Sequence, residues 1–319
     1  MDLTIVIVNW NTRDFLVACL RSLFLHTQGL SFEVYVVDNA SADGSADCVA
    51  SSFPQVHLIA NRSNLGFSRA NNQALRISQG EFVALLNPDT ALIENVFLPL
   101  VQEMRSRPEV GAGGPMILNG DGRTVQVSCA RRLPRLRFNF CDMTGLARRF
   151  PRSRLFGAEY MSFWDHGDSR YVEALSGACM VVRRQAIDSV GLLDESQFMY
   201  CDDTDWCLRF LAGGWKIYYV ARARLIHFGG GGREQVPVAM KLQLAKAQYY
   251  YYWKHVGRLY ALCFCGLVFS VSICKYIWRR IFMREGNQQL FLQDDKTQAT
   301  WAIRKLFGVP GQSAGSVSR

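Results

Sequence analysis

The amino-acid sequence predicts an α/β fold built on a parallel sheet, and two observations lead to this fold class. Short apolar runs rich in β-branched residues alternate with segments in which apolar residues recur at helical spacing. Polar residues follow directly after several of the apolar runs. In open parallel sheets ligands bind outside the carboxyl ends of the strands, so the N-terminal half is expected to bind a nucleotide.

The first hundred residues predict four strands, each followed by a helix. The strands are expected at Leu3–Val8, Phe32–Val37, Val56–Ile59 and Phe82–Leu86. The helices are expected at Thr12–His26, Ser41–Ser52, Gly66–Ser78 and Ile93–Arg105. The polar residues at the strand ends are Asn9, Asp38, Asn61, Asn87 and Asp89. The first strand lacks a following GxGxxG turn, which argues against a dinucleotide-dependent oxidoreductase.

The second half is expected to continue this pattern and to end in helices. Strands are expected at Val172–Leu175, Ala178–Val182, Lys216–Val220 and Arg224–Ile226, and helices at Arg184–Val190, Asp203–Ala212 and Val238–His255. Leu259–Ile273 is an uncharged run of 15 residues, shorter than the ~20 that span a bilayer. An interfacial or re-entrant helix, a buried helix and a membrane span all stay open for it. The Gly/Ser-rich segment Gly308–Arg319 is expected to be disordered.

The net charge limits the class of binding partner, and the cysteines indicate the redox compartment. The 36 basic and 27 acidic residues give a net charge of +9, which favours an anionic partner such as a nucleotide or a phospholipid surface. Eight arginines and a single acid lie within Arg131–Arg154, which is either a solvated loop or a surface for a membrane or a pyrophosphate-linked lipid. No nucleic-acid-binding module is visible. The ten cysteines include no CxxC pair and are expected to be free thiols in a reducing compartment. The first residues are expected to form a strand and not a signal peptide.

Two groups of acidic residues could carry chemistry. Asp89 follows a buried strand and Pro88, where its carboxylate could bind Mg²⁺ or Mn²⁺ or could simply cap a helix. Asp202, Asp203 and Asp205 lie within four residues at a predicted helix start. Three carboxylates so close repel one another unless a cation or the helix N-terminus stabilises them.

Two further segments could approach a ligand closely. His227 precedes four glycines, so it could reach a metal or a phosphate, although a core histidine beside a loop is the alternative. The small residues Ser176, Gly177 and Ala178 lead into a predicted strand. Small residues there permit either close ligand approach or tight packing.

Together these segments resemble the family 2 glycosyltransferases of the GT-A fold, and among them the bacterial rhamnosyltransferase-like enzymes of cell-surface polysaccharide assembly. The resemblance covers about residues 3–235, and its motifs occur in the family's order. The matching segments are Ile5–Asn11, Val36–Ser41, Asn61–Phe67, Asn71-Asn72, Leu86–Thr90, Ser176–Cys179, Phe198–Asp205, Ala212–Trp215 and His227.

The resemblance implies a role for each matching residue. The donor nucleotide would be held by Val8, Asn9, Asp38, Asn64, Gly66 and Asn71. A divalent metal, Mg²⁺ or Mn²⁺, would be bound by Asp89 and His227, with Asn87 in place of the usual first Asp of the DxD motif. Two catalytic residues are implied: Asp203, which would be the base, and Asp202, which stands at a position where the family more often has Glu. The acceptor would contact Gly177, Ala178 and Trp206.

The expected function is inverting transfer of a sugar, rhamnose from dTDP-rhamnose, to a hydroxyl of a lipid-linked or polysaccharide acceptor. A UDP-hexose or UDP-galactofuranose transferase and a non-catalytic nucleotide-sugar-binding scaffold stay open as alternatives. The expected domains are a GT-A domain over 1–235 (nucleotide-binding half 1–115, acceptor half 116–235), a membrane-associated helical segment over 236–285 and a partly disordered tail over 286–319. The protein is expected on the cytoplasmic face of the cell membrane, with a nucleotide-sugar donor, a glycan or polyprenyl-diphosphate acceptor and no nucleic acid as partners.

Overall fold

The structure is a computed structural model and describes residues 1–229, 238–282 and 288–308. The chain divides into two compact units, the first formed by 1–133 and 151–231 and the second by 134–150 and 232–319. The second unit includes residues 134–150, which were expected in the acceptor half of the GT-A domain. The Arg131–Arg154 segment, expected to act as one basic surface, is split because its middle part packs with the C-terminal helices.

The first unit contains the described strands and six of the helices. Its strands are β1 (Leu3–Asn9), β2 (Phe32–Asp38), β3 (His57–Ala60), β4 (Phe82–Leu86), β5 (Thr90–Leu92), β6 (Val110–Leu118), β7 (Ala130–Arg131), β8 (Arg170–Val172), β9 (Ala174–Leu175), β10 (Cys179–Arg183) and β11 (Lys216–His227). Its helices are α1 (Arg13–His26), α2 (Ser45–Ser52), α3 (Phe67–Ile77), α4 (Phe97–Arg105), α7 (Arg184–Val190) and α8 (Asp202–Ala212). The second unit contains α5 (Leu136–Met143), α6 (Leu146–Arg149), α9 (Val238–His255), α10 (Arg258–Phe282) and α11 (Gln288–Leu306).

Nine strands form one sheet in the order β3-β2-β1-β4-β10-β6-β11-β5, with β8 paired to β11. The first four neighbours are parallel, which confirms the predicted α/β fold, and β10 runs antiparallel between β4 and β6. The register pairs Asn9 with Asp38 and Ile7 with Leu86, so β1, β2 and β4 end at the same edge. β10 begins at this edge, where Cys179 pairs with Leu86.

β6 was not predicted, because three glycines and a proline give Val110–Leu118 a poor strand pattern. Packing explains these glycines. A Cβ at Gly113 would lie 2.8 Å from the sulfur of Met104, and one at Gly114 would lie 2.7 Å from Leu175 Cδ2. β11 is one long strand rather than the two predicted, since its pairing with β6 continues beyond an irregularity between Val220 and Arg224.

Two helices begin later than their patterns predicted. α2 begins at Ser45 because Gly44 adopts φ +80° and Asp43 accepts a hydrogen bond from the Ser45 N–H at 3.0 Å, which caps the helix there. α4 begins at Phe97 because residues 90–92 form β5, which pairs with the end of β11.

In the second unit, α10 extends beyond Lys275, where the apolar run ends. Its Arg279 pairs with Asp295 of α11 at 2.7 Å, and Lys241 of α9 pairs with Asp294 of α11 at 2.8 Å, so charged residues are satisfied inside the unit. α11 lies in the segment expected to be a partly disordered tail; its helical form comes from packing against α10, which the polar sequence does not reveal. Gly308–Arg319, expected to be disordered, lies outside the described residues after its first position.

In the described ranges, α10 is the single helix that is long and apolar enough to cross a membrane by length and composition. The core helix of a soluble protein can meet the same test. In α10, one third of the most apolar stretch is buried. The 25-residue helix is therefore longer than the 15-residue run suggested, and its relation to a membrane stays a prediction. All ten cysteines are free, as expected.

Candidate active site

Asp38 and Asn9 stand side by side at the carboxyl ends of β2 and β1. Asn9 Nδ2 donates to Asp38 Oδ1 at 2.9 Å, and the Ser41 N–H donates to Asp38 Oδ2 at 2.9 Å. Asn9 is fully buried, and its Oδ1 accepts a hydrogen bond from Thr12 at 2.6 Å. In this structure Asn9 therefore supports Asp38 without reaching a ligand itself. Asp38 keeps a small exposed surface and Val8 is half-buried.

The Asn64–Gly66 turn leads into α3 and is pressed against a second loop. Gly66 has φ +81°, and a Cβ at this position would lie 2.5 Å from the carbonyl oxygen of Phe198. Asn64 Oδ1 accepts a hydrogen bond from the Gly66 N–H at 2.9 Å. Asn71, expected at the nucleotide, is buried in α3 and donates to the Phe67 carbonyl at 2.9 Å, so direct contact with a ligand is not open to it here.

Asp89 and His227, expected to share a metal ion, are neighbours. The antiparallel pairing of β5 with β11 sets His227 opposite Thr90. His227 Nε2 lies 3.1 Å from Asp89 Oδ1, and the Phe228 N–H donates to the Asp89 carbonyl at 2.8 Å. Both side chains are partly exposed, Asp89 by 23% and His227 by 14%. The register of β5 and β11 thus brings Asp89 and His227 together, although they are far apart in the sequence.

The surroundings of this pair fit a divalent cation. His227 Nδ1 lies 3.0 Å from Gln126 Oε1, the arrangement in which a metal-binding imidazole donates one N–H to an oxygen and keeps its other nitrogen free. With Nδ1 as the donor, Nε2 would face the Asp89 carboxylate with its lone pair, and a cation between them would relieve the repulsion of the two groups. Adjacent ligands of an octahedral cation at about 2.1 Å lie about 3.0 Å from each other, close to the observed separation.

The backbone closes tightly on the same pair. A Cβ at Gly229 would lie 2.5 Å from His227 Nε2 and 2.6 Å from Asp89 Oδ2. Asn87 Nδ2 lies 3.4 Å from His227 Nε2. Within the described ranges, no third His, Cys, Asp or Glu completes a metal-binding cluster. The remaining ligands of a hard cation would be phosphate oxygens and waters, as is usual for Mg²⁺.

Asp203 is held at the start of α8 by hydrogen bonds on both oxygens. Oδ2 accepts from Arg131 Nη2 at 2.9 Å and from the Gly177 N–H at 3.0 Å. Oδ1 accepts from the Thr204 N–H at 2.6 Å and from Thr204 Oγ1 at 3.0 Å. The side chain is 19% exposed. Asp203 is therefore an oriented and accessible carboxylate.

Asp202 differs sharply from its neighbour. It is buried and accepts a short hydrogen bond from Ser68 of α3. Burial raises the pKa of Asp202 to about 7; the bond from Ser68 opposes this shift and the charge of Asp203 adds to it. Two adjacent carboxyl groups thus have different environments, a pattern that separates acid–base roles in active sites.

Gly177 and Ala178 connect Asp203 to the Asp89 segment. The Gly177 N–H bonds to Asp203, and the Ala178 carbonyl accepts from the Asn87 N–H at 2.9 Å. Asn87 lies two residues before Asp89 in the same turn. The predicted carboxylates and His227 are therefore linked along one sheet edge, which also carries Asp38.

Trp206 does not belong to this edge, which corrects the expectation that it contacts an acceptor. It is fully buried, packs against the tilted ring of Phe210 and donates its indole N–H to the Gly191 carbonyl at 2.9 Å. Helical periodicity explains its position, because Trp206 and Phe210 lie one turn apart on the apolar face of α8.

Three contributors were not predicted from the sequence: Arg131, Ser68 and Gln126. Arg131 was grouped with the basic segment that follows it. No local pattern separates Arg131 from that segment, and it is the pairing of β7 with β9 that brings it to Asp203. Ser68 and Gln126 carry no sequence signal, since each meets its partner only through the fold.

Comparison with known families identifies the family of this chain. The profile described as Glycosyl transferase family 2 matches residues 4–163. The chain belongs to glycosyl transferase family 2. This family 2 glycosyltransferase is 31% identical over 238 residues to an N-acetylglucosaminyl-diphospho-decaprenol L-rhamnosyltransferase of Mycobacterium tuberculosis, an alignment that covers 70% of this chain and 75% of the relative.

A second relative and a solved structure agree with this assignment. A rhamnosyltransferase of Escherichia coli K12 is 23% identical over 172 residues, covering 51% of this chain and 61% of the relative. The mannosyltransferase of Pyrobaculum calidifontis, solved in complex with GDP-Man and Mn²⁺, has a TM-score of 0.56 at 14% identity and covers 96% of this glycosyltransferase and 87% of its own chain. This likeness confirms the GT-A fold.

Proposed function

We propose that this glycosyltransferase moves rhamnose from dTDP-rhamnose to a hydroxyl group of a lipid-linked or polysaccharide acceptor in cell-surface glycan synthesis, with inversion at the anomeric carbon. The observation that carries the proposal is the link from Asp203 through Gly177 and Ala178 to the Asp89–His227 pair on one sheet edge. Two relatives named as rhamnosyltransferases support the donor sugar. The decaprenol-linked name of the first supports a polyprenyl-diphosphate acceptor.

Asp203 suits the role of general base. Its carboxylate removes the proton from the acceptor hydroxyl while that oxygen attacks the anomeric carbon. The bond from this carbon to the phosphate oxygen breaks on the opposite face, and the nucleoside diphosphate leaves with the bonding electrons. General-base catalysis is typically worth roughly 10²–10⁴-fold in rate. Asp202 is less suited, because it is buried and bonded to Ser68.

Other residues of the edge would bind the donor. Asp89 and His227 would hold Mg²⁺ or Mn²⁺, which when bound offsets the negative charge of the departing diphosphate. Asp38 would accept a hydrogen bond from an imide N–H of the base or from a ribose hydroxyl. Thymine and uracil both carry an imide N–H, so a UDP-hexose or UDP-galactofuranose donor is the alternative within the same chemistry.

The second unit would attach the enzyme to the cytoplasmic face of a membrane that contains the acceptor. Aromatic and basic side chains are exposed on it, a composition typical of interfacial binding. They include Phe140, Arg148, Arg149, Phe150, Trp253, Trp278 and Phe282. Anionic lipids attract each basic residue near the surface by about 1 kcal/mol.

A transfer assay with the full chain tests the proposal. Donor binding is first ranked by thermal shift with dTDP-rhamnose, UDP-glucose and UDP-galactofuranose, each with and without Mn²⁺, because a ligand of the native state raises apparent stability. Radiolabelled dTDP-rhamnose is then incubated with an N-acetylglucosaminyl-diphospho-polyprenol, and label is expected in the lipid extract. Labelling from a UDP-sugar alone would contradict the donor assignment. Donor binding without transfer or donor hydrolysis would favour the non-catalytic scaffold.

A further inference from the structure

Asp203 receives two of its hydrogen bonds from one small two-stranded sheet. β7 pairs antiparallel with β9, with Arg131 opposite Ala174. Arg131 stands at the end of β7, and Gly177 follows β9 by two residues. Both donate to Asp203 Oδ2, at 2.9 Å and 3.0 Å. Pairing of the two strands therefore fixes the spacing of the two donors.

This small sheet is anchored in the interior. The Ser176 N–H donates to the Cys129 carbonyl at 3.1 Å, which extends the pairing up to Gly177. Ala130 and Leu175 are buried, and the Arg131 side chain is only 14% exposed. Salt screens partly buried charge pairs much less than exposed ones. The ion pair is thus shielded from solvent, unlike the exposed Arg148 and Arg149 of the second unit.

The charges around Arg131 keep it cationic. Glu159 and Tyr160 face it in addition to Asp203. Burial alone disfavours the charged guanidinium, but the facing carboxylate of Asp203 raises the pKa of Arg131 above its ordinary value. Removing one partner of such a pair leaves an uncompensated buried charge on the other.

We propose that Arg131 is a positioning residue that, together with the Gly177 N–H, orients the Asp203 carboxylate toward the acceptor hydroxyl. This inference rests on the proposed role of Asp203 as the base. Arg131 acts through Asp203 and belongs to the catalytic edge rather than to a lipid-binding surface. A displacement of about 1 Å in a reacting group can cost on the order of 10²-fold in rate, which sets the scale of the effect.

Steady-state kinetics of the full chain with radiolabelled dTDP-rhamnose and the polyprenyl-linked acceptor test this role. Arg131→Gln is expected to lower kcat by roughly 10- to 100-fold while donor KM and calorimetric dTDP binding change less than about twofold. Arg131→Lys is expected to recover part of kcat, because it restores the charge. Arg123→Gln, an exposed arginine of the same unit, is the control and is expected to behave like the wild type.

A double mutant separates positioning from general damage to the fold. In an Asp203→Asn background, Arg131→Gln is expected to change turnover by less than about twofold, since residues that act as a unit are not additive. Additive losses, a parallel loss of dTDP binding, or normal turnover of Arg131→Gln would each overturn the inference. If Arg131→Gln does not fold, the Lys variant decides: a kcat below that of the wild type with unchanged dTDP binding supports the inference, and a parallel loss of kcat and dTDP binding overturns it. Absence of turnover in the wild-type protein with every donor would instead overturn the proposed function and with it this inference.

Discussion

His227 Nε2 lies 3.1 Å from Asp89 Oδ1, and hydrogen bonds hold the two residues there on both sides of the contact. The Phe228 N–H donates to the Asp89 carbonyl at 2.8 Å, and His227 Nδ1 lies 3.0 Å from Gln126 Oε1. The end of β11 and the turn after β4 are therefore fixed to each other before any ligand binds. Such preorganisation would let the proposed cation bind without the cost of ordering these two ligands.

Asp89→Asn is expected to weaken the metal-dependent part of donor binding at least tenfold, because the substitution removes the negative charge of the pair. The measurement is calorimetric titration of dTDP with and without Mn²⁺. Asp188→Asn, an exposed carboxylate on α7, is the control. If Mn²⁺ strengthens dTDP binding in Asp89→Asn as much as in the wild type, Asp89 does not bind the metal.

Gly229→Ala is expected to reduce Mn²⁺-dependent binding with little change in thermal stability. The added Cβ would lie 2.5 Å from His227 Nε2 and 2.6 Å from Asp89 Oδ2, so the pair must separate. Gly266→Ala is the matched control, since nothing lies within 4 Å of a Cβ there and alanine favours the helix by roughly 0.5–1 kcal/mol. Wild-type metal affinity in Gly229→Ala would show that the pair tolerates the displacement.

Asp203→Asn is expected to lower kcat by roughly 10²–10⁴-fold while donor binding stays within about twofold. The amide keeps the size of the side chain but cannot accept the proton. The readouts are turnover of radiolabelled dTDP-rhamnose and calorimetric binding of dTDP. Near wild-type turnover would transfer the role of base to another group.

The sheet edge was predictable from the sequence, because buried strands and the polar residues at their ends are local patterns. Asn9, Asp38 and Asp89 all lie where their strands predict. β6 was not predictable, because its glycines are explained only by the side chains of Met104 and Leu175, which come from distant segments.

The solvent exposure of individual site residues was likewise not predictable from the sequence. Asn9 and Asp38 are both polar residues at strand ends, yet Asn9 is completely buried and bonded to Thr12, whereas Asp38 keeps a small exposed surface. Arg131 belongs by composition to a basic segment, and only the pairing of β7 with β9 separates it from the rest. Tertiary contacts, and not local patterns, decide these cases.

Arg149→Gln is expected to weaken binding to anionic vesicles about fivefold at low salt, because each basic residue near such a surface contributes about 1 kcal/mol. Arg149 is exposed on α6 beside Phe150, whose ring centroid lies 5.3 Å from the guanidinium carbon. Arg21→Gln, an exposed arginine of α1, is the control. The measurement is sedimentation with phosphatidylglycerol vesicles. Equal loss in both variants, or no binding of the wild type, would contradict a membrane role for the second unit.

Asp202→Asn is expected to make the protein more stable near neutral pH and to flatten the dependence of its stability on pH. Burial raises the pKa of Asp202 to about 7, whereas an unfolded aspartate titrates near 3.9. Between about pH 4 and pH 7 the folded state therefore binds one more proton than the unfolded state, and the free energy of unfolding falls as pH rises. The total loss is on the order of 2 to 4 kcal/mol.

Urea unfolding at pH 5 and pH 7.5 measures this effect, and the comparison with the wild type removes the contributions of other titrating groups. The asparagine keeps the contact with Ser68 and carries no charge at either pH, so its stability is expected to change less between the two conditions. Asp188→Asn on the surface of α7 is expected to follow the wild type. The contrary outcome is a stability that rises between pH 5 and pH 7.5 by the same amount in the wild type and in both variants. This would mean that Asp202 is ionised in the folded state. Asp202 would then have to be reconsidered as a second base beside Asp203.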